Sequence, residues 1–101
     1  MTPRRLSPGP QDEAFIVNPV VIRNERGLHA RAASKFVKLV AGFEADVTVT
    51  KGCQTVSGHS ILGLMMLAAG PGSEIVIATR GPEAVEAAAA LCGLVDAKFE
   101  E

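Results

Sequence analysis

The period of the apolar residues changes between Ala30 and Thr50, and that change restricts the fold more than any other feature of the chain. Ala33, Phe36, Val37 and Val40 fall at i, i+3, i+4 and i+7, the spacing that lines one face of an α-helix. Arg31, Lys35 and Lys38 lie on its other faces, and Gly42 is placed to end it. A few residues later Ala45, Val47 and Val49 alternate with Asp46, Thr48 and Thr50. A period of two belongs to a strand with one buried face. Lys51-Gly52 then reads as a hairpin turn and Gln54-Thr55-Val56 as the return strand.

The same reading extends to the rest of the chain. Order is expected from Phe15, with Val20, Val21 and Ile22 in a first strand and Pro19 at its start or on an edge. Glu25-Arg26-Gly27 is a turn. Ser60 to Ala68 reads as a short helix closed by Gly70-Pro71-Gly72, and Glu74 to Thr79 as a last strand. Pro82 opens a final helix whose apolar face is expected at Val85, Ala88, Cys92 and Val95, with Leu91 beside it. The hairpin favours antiparallel pairing, and amphipathic helices need a sheet face to cover. The expected fold is therefore an α/β (α+β) two-layer open-faced sandwich. A four-stranded antiparallel sheet carries three helices on one face, in the order βαββαβα.

Composition sets the limits. A chain of 101 residues fits one domain, expected at 15–101. Residues 1–14 hold three prolines and a glycine and read as a flexible tail. With no Trp or Tyr and only four Phe, the core has to be aliphatic. A net charge of −1 argues against a nucleic-acid partner. Two cysteines, Cys53 and Cys92, make no disulfide framework and suit a reducing compartment. No apolar run is long enough to cross a membrane. Arg4-Arg5 is followed by LSPGPQDEA rather than an apolar stretch, so an export signal is not expected. These features suggest a small cytoplasmic protein.

His29 lies just before the first helical turn, where backbone N–H groups lack intrahelical partners and the helix dipole adds positive potential. Such a place binds anions, phosphate among them, and Arg26 and Arg31 flank it. Positive surroundings disfavour the imidazolium. A neutral ring nitrogen there can attack phosphorus and form a phosphoramidate, a bond from which the group remains transferable. Positioning and electrostatics suffice for this chemistry, so neither metal nor cofactor is required. A capping or surface histidine fits the same local features, and on these features alone it is the simpler reading.

Two longer segments change the balance. GLHARAA followed by SKFVKLVAGFEADVTV, and VSGHSILGLMMLAAGPGSEIVI further on, resemble the active-site and regulatory-serine segments of the HPr family. These are the histidine phosphocarriers of the phosphoenolpyruvate-dependent phosphotransferase system. The resemblance spans roughly residues 16–98. It implies that His29 takes a phosphoryl group at Nδ1 from enzyme I and passes it to an enzyme IIA protein. It implies that Arg31 attends the group, and that Ser60 is the target of a serine kinase/phosphorylase. It also implies a monomeric phosphocarrier, a stoichiometric intermediate rather than a free-standing enzyme. Ala32, where many members have Pro, and Arg26, where sugar-transport members often have Asn, look more like the nitrogen-related NPr branch.

Ser60 also suits the N-cap of the short helix. Ile61, Leu62, Met65 and Met66 are too many apolar residues for one buried stripe. Leu64 and Leu67 are expected to fill the core, and Ile61, Leu62 and Met65 to form a docking patch near His29. Arg31, Lys35 and Lys38 would rim that patch and speed encounter. The alternative function is a binding-only regulatory module that docks through this patch around Ser60. A ferredoxin-like ligand, metal or RNA module ranks third, because the chain has no CxxC loop and no Tyr or Trp for stacking. His59 and Cys53 are too loosely spaced for a zinc motif.

Overall fold

A computed structural model describes residues 14–101; the N-terminal segment read above as a tail lies, but for Ala14, outside the described residues. Four strands form the sheet: β1 (Ile16–Val21), β2 (Asp46–Lys51), β3 (Gln54–Ser57) and β4 (Glu74–Arg80). Three helices accompany them: α1 (Ala30–Val40), α2 (Ile61–Met66) and α3 (Ala84–Asp96). The element order is the expected βαββαβα, and a short turn at Lys98–Glu100 follows α3.

All strand pairs are antiparallel and the spatial order is β1-β4-β2-β3. Ile77 pairs with Asn18 on one side and Val49 on the other. Pro19 has no backbone N–H, and it lies inside β1, which is an edge strand. The alternation read from the sequence becomes a buried face. Val47 and Val49 of β2 and Ile75, Ile77 and Thr79 of β4 point into the core, while Thr48, Thr50, Val76 and Ala78 between them are half-exposed. Buried Thr79 donates its hydroxyl to the Ala84 carbonyl at 2.9 Å, so the polar group is satisfied at the start of α3.

Helix α1 buries Ala32, Ala33, Phe36 and Val40, close to the face expected from its spacing. Helix α3 buries Ala88, Leu91 and Val95 of the face expected of it, but not Val85 or all of Cys92. Its buried residues are Ala84, Ala87, Ala88, Leu91 and Val95, whereas Val85 is 66% exposed and Cys92 only partly covered. The run EAAAALCG carries little periodic signal, since alanine packs equally well on several sides. Leu91, Val95 and the closely packing alanines decide the rotation of the helix, not Val85.

The C-terminal turn was not anticipated. Lys98, Phe99 and Glu100 all have left-handed backbones, with φ of 57°, 55° and 64°. None is glycine, and a left-handed residue costs roughly 1–2 kcal/mol. Phe99 is fully buried and belongs to the core cluster, which draws on all three helices and the sheet. Burying a phenyl ring contributes about 1.5–3 kcal/mol, which offsets much of the backbone cost and anchors the turn.

Candidate functional site

The approach to α1 is built by a buried asparagine and a glycine. Asn24 is 1% exposed. Its side-chain amide donates to the Gly27 carbonyl at 2.8 Å, and the Gly27 N–H donates back to the Asn24 carbonyl at 3.2 Å. Gly27 has φ +64°, and a Cβ there would stand 2.3 Å from the Ala69 carbonyl oxygen. Only glycine allows both that backbone and that contact. The next residue, buried Leu28, donates its N–H to the same Ala69 carbonyl at 2.9 Å. The loop before α1 is thereby fastened to the loop after α2.

His29 leaves this clamp as the N-cap of α1, with an extended backbone. Its carbonyl accepts the Ala33 N–H at 2.9 Å, closing the first helical turn. Its Nδ1 accepts the Arg31 N–H at 3.3 Å, a side-chain cap made by an imidazole. Its Nε2 meets Glu101 Oε2 at 2.5 Å. The neutral ring that satisfies both contacts carries its proton on Nε2, donates it to the carboxylate, and keeps the Nδ1 lone pair facing the helix terminus. The ring side chain is 15% exposed.

Glu101 reaches this position through the left-handed turn. Lys35 Nζ donates to the Phe99 carbonyl at 2.7 Å and lies 3.8 Å from Glu100 Oε1. Glu101 Oε2 also accepts the Asn24 side-chain amide at 3.2 Å. The hydrogen bond with His29 holds the Glu101 carboxyl below its ordinary range, against the opposing effect of burial. The Asn24 bond and the charge of Arg26 add to the lowering. Asn24 Oδ1 is buried without a hydrogen-bond partner, so the amide is oriented by its two donor contacts.

The residues singled out in the sequence fall into two groups. At α1, Arg31 is exposed, and it is its backbone N–H that touches the ring. Lys35 is turned toward the C-terminal turn instead of standing only at a rim. At α2, the Ser60 hydroxyl accepts the Gly63 N–H at 2.9 Å and caps the helix. Ile61, Leu62, Met65 and Met66 are 41%, 67%, 39% and 63% exposed, while Leu64 and Leu67 are buried. Helices α1 and α2 touch, and the Leu28–Ala69 hydrogen bond ties the approach to His29 to the loop after α2. His59 is exposed and Cys53 and Cys92 are free thiols. Burial, reinforced by Asp96, pushes the Cys92 thiol up. Among the described residues no cluster of His, Cys, Asp or Glu is arranged to hold a metal, and no helix is long and apolar enough to cross a membrane.

Sequence reading missed Asn24 and Glu101. Asn24, three residues before a glycine, carried the weak signal of turn chemistry. Glu101 is 72 residues away from His29, and nothing local marks it.

The family described as PTS HPr component phosphorylation site matches this chain over residues 16–97. The chain belongs to the HPr family. It is 46% identical to phosphocarrier protein NPr of Shewanella violacea over 81% of its own length and 90% of that protein's. It is 45% identical to phosphocarrier protein HPr of Neisseria meningitidis, over 81% and 92%. Among solved structures, the fold matches phosphocarrier protein HPr from Bacillus anthracis with a TM-score of 0.78 and 41% identity, over 82% of this chain and 99% of that one. HPr-C-His from Thermoanaerobacter tengcongensis matches with a TM-score of 0.82 and 34% identity, over 85% and 97%. This HPr-family chain is thus a phosphocarrier of the phosphotransferase system. Nearly equal identities to NPr and HPr relatives do not assign a branch.

Proposed function

We propose that His29 is the phosphoryl acceptor, taking the group at Nδ1 from a phosphohistidine of enzyme I and giving it to a histidine of an enzyme IIA protein in the cytoplasm. The supporting observation is the placement of Nδ1 at the N-terminus of α1, against the Arg31 N–H. The Nδ1 lone pair attacks phosphorus. The bond from phosphorus to the donor nitrogen breaks, and its electron pair returns to that nitrogen. The Arg31 N–H then exchanges its nitrogen acceptor for a phosphoryl oxygen. The exposed Arg31 guanidinium adds a charge-assisted donor, and the helix dipole favours the new negative charge. Transfer onward reverses these steps on a second partner.

A carrier of this kind has to dock on two partners in turn. Ile61, Leu62 and Met65 provide an exposed apolar surface beside α1, and methionine adapts to unlike surfaces. A serine kinase/phosphorylase acting on Ser60 would place a dianionic phosphate at the edge of that surface. Docking on an acidic face of enzyme I would then weaken. The working unit in this reading is a monomer, although the solved relatives include an HPr dimer from Thermoanaerobacter tengcongensis. The mass of the protein in solution measures this directly.

The test is incubation with phosphoenolpyruvate and enzyme I. The expected product is an acid-labile, base-stable phosphoryl adduct that is lost in His29→Ala. Equal acceptance by His29→Ala would remove the assignment. Partner binding indifferent to phosphorylation and to His29 replacement would favour the binding-only module that docks through the patch around Ser60.

A further inference from the structure

The carboxylate on the far edge of the His29 ring is supplied by an unusual piece of backbone. Three successive non-glycine residues, Lys98 to Glu100, are left-handed. The turn is held by the burial of Phe99 and by Lys35 on the Phe99 carbonyl. Its outcome is to bring Glu101 Oε2 onto His29 Nε2 and, at the same time, onto the amide of buried Asn24. Asn24 in turn holds the Gly27 carbonyl of the loop that delivers His29. The ring is therefore gripped at both nitrogens from separate parts of the chain, by a backbone N–H at Nδ1 and a carboxylate at Nε2.

We propose that Glu101 is a positioning residue for His29, and that Asn24 positions Glu101. The carboxylate accepts a hydrogen bond from Nε2–H, fixes the ring plane, occupies the Nε2 edge and leaves Nδ1 as the nitrogen that takes a phosphoryl group. This rests on the reading of His29 as the phosphoryl acceptor. An imidazole has two nitrogens able to carry phosphorus, and selectivity between them has to come from the surroundings. Once Nδ1 bears the group and Nε2 keeps its proton, the ring is cationic. Glu101 then faces that charge from the side opposite the phosphoryl oxygens, which lie toward the Arg31 N–H. Arg26, whose charge acts on Glu101, favours the ionised carboxylate.

Phosphoramidate, a small donor that needs no docking, reads the selectivity directly. The ring nitrogen attacks phosphorus, the phosphorus–nitrogen bond breaks, and ammonia leaves with the bonding pair; the other ring nitrogen keeps its proton. Protein labelled with 15N in histidine identifies which nitrogen carries phosphorus. The full chain is expected to give a single Nδ1 product at His29. Glu101→Ala is expected to lose single-site selectivity, with an Nε2-phosphorylated species appearing beside the first. Glu101→Gln retains an acceptor oxygen and is expected to restore the Nδ1 product, and Asn24→Ala to fall between. An unchanged Gly63 amide signal in each variant shows that the fold is intact. The same single product from Glu101→Ala as from the unaltered chain overturns the positioning role, as does a failure of Glu101→Gln to restore it. No adduct on His29 Nδ1 in the unaltered chain would instead bring down the acceptor assignment itself.

Discussion

Two helix starts carry the residues of interest, and they are built in opposite ways. Ser60 caps α2 from within its own segment. Its hydroxyl takes the Gly63 N–H, its carbonyl takes the Leu64 N–H, and its own N–H goes to the Ser57 carbonyl. His29 caps α1 by a comparable local bond to the Arg31 N–H. Its setting, however, is assembled from distant parts of the chain: Asn24 and Gly27 before it, Ala69 after α2, and Glu101 beyond α3. A local cap needs only the right residue at the right offset. A ring that has to present one chosen nitrogen needs its other nitrogen held by something outside the helix, and only tertiary packing supplies that.

This contrast is most severely tested by removing the anchor of the C-terminal turn. Phe99→Ala leaves a cavity in the core, and truncations of buried phenylalanine cost about 3–5 kcal/mol. Urea denaturation measures the loss. In the folded fraction, the turn no longer has a reason to remain left-handed and Glu101 should leave His29, while the Ser60–Gly63 bond persists. If the Gly63 amide moves as far as the His29 ring signals, the two helix starts are not independent. Gly27→Ala comes next. A left-handed alanine costs about 1–3 kcal/mol, and the 2.3 Å approach of its Cβ to the Ala69 oxygen adds overlap. Phosphoryl acceptance from enzyme I is expected to fall with stability, because the loop that presents His29 has to shift.

The same contrast explains which features are legible in the sequence alone. The strands of the hairpin, the Ser60 cap and the exposure of Ile61, Leu62 and Met65 all follow from residues within a few positions of each other. Leu64 and Leu67 were legible as core for the same reason. The role of Gly27 was half legible, since the turn was evident but the Ala69 contact that forbids a side chain was not. The face of α3 is legible at Ala88, Leu91 and Val95 but not at Val85, because its alanines give no preferred side. The left-handed turn ran against local preference, and its cause is the burial of Phe99. Glu101 was invisible because its relation to His29 exists only after the sheet and α3 have folded. Family resemblance points to His29 and Arg31 through residue types at motif positions and does not reach Asn24.

A smaller effect is expected at the second helix start. Ser60→Ala removes the side-chain acceptor for the Gly63 N–H, and loss of a serine cap costs about 0.5–2 kcal/mol. Thermal or urea unfolding should show a decrease in that range. Phosphorylation of His29 by phosphoramidate should proceed at the rate of the unaltered chain, because none of the contacts at the ring involves α2 side chains. A slower reaction in Ser60→Ala would show that the cap is transmitted to the site through the Ala69 loop.

Acid should separate the two starts with no mutation at all. The Glu101 carboxyl is held below its ordinary range in the folded chain, chiefly by the His29 hydrogen bond. A group lowered in this way stabilises the fold above its unfolded pKa, and that contribution disappears as pH falls through the folded value. The contact is therefore intact at neutral pH, survives into the upper carboxylate range, and is lost only below it. Protonation removes the anion that accepts from both His29 and Asn24, so the Asn24 side-chain amide should shift as the Glu101 carboxyl titrates. The Ser60–Gly63 bond contains no titrating group and should not respond there. An NMR titration following the Glu101 side-chain carboxyl carbon, the Asn24 side-chain amide and the Gly63 amide reads all three in one sample. If the Asn24 amide stays still while the Glu101 carboxyl titrates, Asn24 is not coupled to the carboxylate and acts on the Gly27 loop alone.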